Sequence, residues 1–176
     1  MALHWGDTVA SGLARLIVGK HPTRTLVRAL ILVAAAWLLV TFGILPVRGQ
    51  GPSMQPTVRD GQLMIVNRVA YRMRRPRRGE LAAVSWVEDR EVLIKRILAG
   101  PGDVIAIDRG VVSVNDVAID EPYVRFRAPW RMAATTLGAD EYFVVGDNRG
   151  MPMAQHTMGI VERYRLLGPV AWVVGG

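Results

Sequence analysis

The sequence predicts a mainly β protein: a single N-terminal transmembrane helix followed by an antiparallel β domain. Three observations predict it. Residues Ala29 to Val47 form an uncharged apolar run. Short Val-, Ile- and Leu-rich runs follow, parted by Gly, Pro and Asp turns. No helical period of useful length appears after residue 50. The chain has 176 residues, 51% hydrophobic and 21% charged, which suits one domain with an appendage and excludes a disordered chain. It has no cysteine, so disulfides, thiolate zinc sites and cysteine catalysis are excluded. His4, His21 and His156 lack ligand spacing, so no metal and no cofactor is expected, and a Ser-His-Asp triad has His156 alone to build on.

The apolar run, ALILVAAAWLLVTFGILPV, would span about 28 Å as a helix, close to the hydrocarbon thickness of a bilayer. A buried core helix would show a polar face, and a cleaved signal peptide would show small residues after the run. Ile44-Leu45-Pro46-Val47-Arg48 shows none, so a retained anchor over 29–47 is favoured. Arg15, Lys20, Arg24 and Arg28 precede it, and Arg48 stands alone just after it. The positive-inside rule then puts residues 1–28 in the cytoplasm and residues 48–176 outside. Residues 1–25 carry a weak apolar pattern that would suit a short interfacial helix.

Beyond the anchor, the runs LMIVNRV, LAAVSWV, VLIKRIL, DVIAI, VVSV, EYFVV and LLGPVAWVV read as strands. Gly110, Asn115-Asp116, Gly138 and Gly146 mark turns between them.

Two residues stand out chemically. Ser53 lies in the loop Gly51-Pro52-Ser53-Met54-Gln55-Pro56-Thr57, six residues past the expected span and so within about 20 Å of the membrane surface. Such a serine is either a turn residue or a nucleophile in need of a base. Twenty of the 22 basic residues are arginine, and Lys95 is the one lysine beyond the anchor. Alternation sets Leu93, Lys95 and Ile97 on one strand face and Ile94, Arg96 and Leu98 on the other. Lys95 either snorkels from a strand edge or sits desolvated, with a lowered pKa and a neutral amine able to take a serine's proton.

Here the sequence resembles the type I signal peptidases, Ser-Lys proteases of bacterial membranes. Ser53-Met54-Gln55-Pro56-Thr57 is similar to their S-M-x-P-T box, and Arg78-Gly79-Glu80-Leu81 to their R-G-D-I box. The run from Lys95-Arg96 to Gly100-Pro101-Gly102-Asp103 resembles K-R-x-x-G-x-P-G-D, with Ala99 replacing the first glycine. Gly146-Asp147-Asn148-Arg149 is similar to G-D-N-R, and the likeness covers roughly residues 27–174. It implies a β-rich serine endopeptidase held on the outer face of the bacterial inner membrane, with Ser53 as nucleophile and Lys95 as general base. It further implies that the Ser53 backbone N–H meets the oxyanion, with Gly51 offering no side-chain donor, and that Val47 and Ile94 line the substrate cleft. The implied partners are membrane lipids and a signal-bearing preprotein bound as an extended strand with small residues near the cleaved bond. A conjugation- or pilus-type maturation peptidase of the same mechanism, or a non-catalytic membrane subunit on the same fold, are the alternatives.

One run departs from the family. Where it continues x-x-S-x-D-S-R, this chain has Gly150-Met151-Pro152-Met153-Ala154-Gln155-His156. Pro152 replaces the serine that orients the lysine, Ala154 the aspartate and His156 the arginine; Thr157 and Ser85 are the candidate substitutes for the hydroxyl. Met151, Met153 and Met158 suit either an adaptable protein-partner surface at 150–158 or core filling. Six arginines lie within residues 68–78. They fit a solvated hairpin tip or anionic lipid headgroups; nucleic acid is not the expected partner, because Tyr71 is the sole stacking residue there.

Overall fold

The computed structural model describes residues 22–86 and 91–175. Most of the expected segment 1–28, and with it the proposed interfacial helix, therefore lies outside the described residues. Helix α1 spans Pro22–Leu38 and continues as a wider π-type turn over Leu39–Gly43. Pro22 opens it, where a missing N–H leaves no bond unmade. Thr23–Gly43, 21 residues, is the one helix among the described residues long and apolar enough to cross a membrane. The helix thus begins before the expected span of 29–47 and ends before it. Residues Ile44–Arg48 are strand β1 instead. Pro46 cannot continue a helix but is tolerated on an edge strand, and Leu45 and Val47 pack against the apolar cluster around Met54, Met64 and Ile94.

The body that follows is antiparallel throughout. Strands β2 (Leu63–Asn67), β3 (Leu81–Trp86), β4 (Glu91–Ala99), β5 (Val104–Asp108), β6 (Val111–Val114), β9 (Glu141–Val145) and β11 (Leu166–Val173) fall on the seven expected runs. The remaining strands are β7 (Val117–Ala118), β8 (Met132–Thr136) and β10 (Gly159–Glu162), and a four-residue helix α2 spans Ala70–Met73. One sheet runs β1-β2-β11-β3-β4-β9-β10, and a second runs β7-β6-β5-β8.

Local chemistry sets the tight hairpins. Arg109 and Gly110 both take positive φ between β5 and β6, as Asn115 and Asp116 do between β6 and β7. That pair of left-handed residues is the two-residue turn whose twist matches the flanking strands. Strand β4 lies between β3 and β9 near the middle of the large sheet, and residues 94–99 are all buried. Its side chains feed three cores: Ile94 joins Met54 and Met64, Ile97 joins Ala82 and Tyr142, and Leu98 joins Ile105, Trp130 and Phe143.

Candidate active site

Lys95 sits on this buried strand opposite Ala82, whose methyl group leaves room for a long side chain. The lysine is 2% exposed. Its Nζ lies 3.1 Å from Ser53 Oγ, within hydrogen-bonding distance. Burial drives its pKa down from 10.5 to about 8, although the Glu91 and Asp147 carboxylates pull it upward. About a tenth of the amine is therefore neutral at pH 7, and about half near pH 8. Of the two readings of Lys95, the buried one describes this chain. Ser53 is half-buried, and among the described residues no acceptor takes its backbone N–H.

The Ser53 loop is anchored from both sides. Met54 is 5% exposed and packs into the cluster with Val58, Met64 and Ile94. Asn148 donates its backbone N–H to the Ser53 carbonyl at 3.0 Å and its side-chain amide to the Pro52 carbonyl at 3.1 Å. Thr57, just past Pro56, donates its hydroxyl to Asp147. Asp147 in turn accepts two bonds from Arg96, at 2.8 and 2.6 Å, and Arg96 also donates to the Gly79 carbonyl. Asp103 accepts from Gly100 N–H and Asn115 and pairs with Arg78, at a turn where Gly102 takes φ +79°. The four sequence boxes thus interlock through side chains of fixed type.

Val47 and Ile94 line one cleft of about 270 Å³ together with Gly51, Ser53, Met54 and Leu93. Among the described residues no cluster of three His, Asp or Glu side chains could hold a metal ion.

The departed run behaves differently from its neighbours. Pro152, Ala154 and Thr157 are exposed, so neither residue 152 nor Thr157 is the buried group beside the pair. Ser85 lies opposite Val92 while Ala82 lies opposite Lys95; three positions along a strand is about 10 Å and the other face of the sheet. The buried member of the run is His156, 6% exposed, stacked edge-on against Trp130 with ring centroids 5.0 Å apart. It makes no triad with Ser53, whose side-chain partner is Lys95. Met153 and Met158 are half-buried and pack on the core that holds Trp130.

Glu121, Tyr123 and Trp130 were not singled out in the sequence. Glu121 is 1% exposed and binds Arg149, Arg127 and Tyr123. Arg96 lies 3.7 Å over the Tyr123 ring. The readable signal was the acidic pair Asp120-Glu121 placed directly before Pro122 and aromatic Tyr123 and Phe126.

A buried lysine thus lies on a serine within an antiparallel β body, framed by the ordered motif boxes. The family model for signal peptidase, peptidase S26, matches residues 23–174. The chain belongs to that family. A probable signal peptidase I-2 of Synechocystis sp. is 34% identical over 122 residues, 66% of this chain and 56% of that protein. A signal peptidase I of Leptolyngbya laminosa is 28% identical over 124 residues, 66% of this chain and 61% of that protein. A signal peptidase I of Bacillus amyloliquefaciens is 27% identical over 158 residues, 82% of this chain and 80% of that protein. The matches thus span less than two thirds of the first two relatives' own length.

Proposed function

We propose that this chain is a membrane-anchored serine endopeptidase of the signal peptidase I type, with Ser53 as nucleophile and Lys95 as general base. One observation carries the reading: a 2%-exposed lysine amine 3.1 Å from a serine hydroxyl. The neutral amine takes the Ser53 proton as Oγ attacks the scissile carbonyl, and the ammonium returns it to the leaving amine. The amine then activates the water that releases the acyl group. The oxyanion is met by the uncommitted Ser53 N–H, with no side-chain donor at Gly51.

The substrate is a signal-bearing preprotein, as the names of the relatives favour. It lies extended in the cleft at Val47 and Ile94, beside edge strand β1, with small residues next to the cleaved bond. The anchor sits in the bacterial inner membrane with its N-terminus cytoplasmic, a reading supported by Arg24 and Arg28 at the start of the apolar helix. The test uses the full chain in detergent and a synthetic signal-sequence peptide with alanines before the cleaved bond. Cleavage that Ser53→Ala abolishes is the expected result. Cleavage that survives in Ser53→Ala overturns the assignment.

A further inference from the structure

His156 is the buried titratable group that this mechanism leaves unused. Neither ring nitrogen has a hydrogen-bond partner among the described residues, and both are shielded from solvent. A buried imidazole without partners is costly, and a chain keeps one where it has a use. Its position suggests the use. A Cβ on Gly146 would stand 2.8 Å from His156 Nε2 and 2.2 Å from the Ser53 carbonyl oxygen. The absence of a side chain at residue 146 therefore lets the imidazole close directly behind the nucleophile's backbone. Trp130 packs edge-on against the ring and is itself held by its indole N–H, which donates to the Met151 carbonyl at 2.9 Å.

We propose that His156 is a positioning residue for the Ser53–Lys95 pair, a neutral imidazole whose free nitrogen accepts a hydrogen bond from the Lys95 ammonium formed during turnover, directly or through one water. The inference rests on the dyad reading given above. An amine that has just taken the Ser53 proton carries three N–H donors, and only one can point back along the serine. A second acceptor fixes the rotation of the ammonium and stabilises it as it forms. The imidazole suits the task because it stays neutral. Burial holds its pKa down at about 4, and the Lys95 charge adds to that. The Thr157 backbone and Asp147 pull the other way, and Arg149 pulls with Lys95. Those groups, Lys95 from β4 and Asp147 and Arg149 from the segment after β9, are the charges that face it.

The experiment measures peptide cleavage by the full chain from pH 6 to 10, where His156 stays uncharged. His156→Phe keeps the ring volume and removes the acceptor. Its kcat is expected to fall about 10- to 100-fold with KM unchanged, the range for a catalytic group left unpositioned. The pH midpoint should also move down by about half a unit or more, because the ammonium has lost a stabilising acceptor. His156→Gln, which keeps an acceptor, should recover most of the rate and the wild-type midpoint. Equal loss in both variants, or wild-type behaviour in His156→Phe, overturns the proposal. A second readout is independent of turnover and of whether His156→Phe folds. The imidazole titration followed by NMR should shift upward in Lys95→Met, toward the ordinary histidine range, and an unmoved titration overturns the proposal. Ser53→Ala and Lys95→Arg separate the two levels. If both are inactive while His156→Phe is normal, the dyad stands and the positioning role falls. If either stays active, the dyad reading itself falls.

Discussion

Gly146–Arg149 and Met151–His156 are neighbours in the chain and border the same serine and lysine, yet they are built by opposite means. The first is polar and saturated: Asp147 holds Arg96 and Thr57, Asn148 holds the Ser53 loop, and Arg149 holds Glu121. The second is apolar and has no ion pair among the described residues; Met153 packs on the core and His156 on Trp130. The difference teaches that the two jobs at this site are separable. Hydrogen bonds of fixed geometry set where the nucleophile loop sits. Packing and burial set the low-polarity surroundings that keep the lysine's proton loosely held.

The most damaging way to break that division is to restore a permanent charge to the back of the pocket. Lys95→Arg puts in a guanidinium that cannot lose its proton. Cleavage is expected to fall at least about 10³-fold, as for removal of a serine hydrolase's base, and substantial activity in that variant would remove Lys95 from the mechanism. The wild-type profile carries the same sign. Activity should climb as pH rises through about 8, where the amine becomes neutral. Stability should also gain as pH rises from about 8 to 10.5, since there the unfolded chain holds a proton that the folded chain has shed. A flat activity profile from pH 6 to 10 would count against a neutral base.

The polar side breaks through stability rather than chemistry. Asp147 is 1% exposed and neutralises Arg96, itself 9% exposed. Asp147→Asn leaves that guanidinium buried without its counter-charge, at a cost of about 3–5 kcal/mol. Chemical denaturation of the wild type and variant in the same detergent should show it. A loss below about 1 kcal/mol would mean that the Tyr123 ring and the Gly79 carbonyl suffice to hold Arg96.

These two sides were unequally legible in the sequence. Ser53 and Lys95 could be found because their types are scarce where they stand: the one lysine of an arginine-rich body beyond the anchor, and a serine in a Gly/Pro loop. The seven strand runs were legible because each alternates or is continuously apolar. Strand β1 was not, because Ile44–Val47 continues the apolar helix without a change of composition, and only pairing with β2 separates them. Strand β8, MAATT, and β10, GIVE, are too short and mixed to show a period. The frame around Asp147 was half-legible: the boxes were visible, but not that Arg96 and Asp147 meet across 51 positions. His156 was visible as a candidate base, but its actual neighbours depend on Gly146 and Trp130, which no local spacing connects to it.

Acid separates the sides next, with a smaller effect. The His156 pKa is lowered to about 4 from an ordinary 6.5. Below pH 6.5 the unfolded chain gains a proton that the folded chain resists, so stability falls as pH drops toward 4. His156→Gln should lose that part of the acid dependence, with a melting curve about 10 °C less sensitive to pH between 6.5 and 4. If wild type and variant lose stability in parallel, the carboxylates of the polar side account for the whole acid response, and the imidazole is not buried as described.

The smallest expected effect falls at Pro152, and it sharpens the comparison most cheaply. By resemblance this position would carry the hydroxyl that orients the lysine, so Pro152→Ser would be expected to raise turnover if that hydroxyl had simply been lost. The fold argues otherwise. Pro152 is exposed, with φ −56° and ψ 136°, and it leads into the single turn Met153–Gln155 by accepting the Gln155 N–H at its carbonyl. A serine there can keep that turn, because the bond uses the backbone alone. What it loses is the proline's restriction of the unfolded chain, worth about 0.4–1 kcal/mol. Pro152→Ser should therefore be slightly less stable and cleave a signal-sequence peptide at the wild-type rate. A clear rise in kcat would mean that the run can swing a residue-152 hydroxyl onto Lys95. In that case the apolar side of the pocket would be adjustable rather than fixed by the packing of His156 on Trp130.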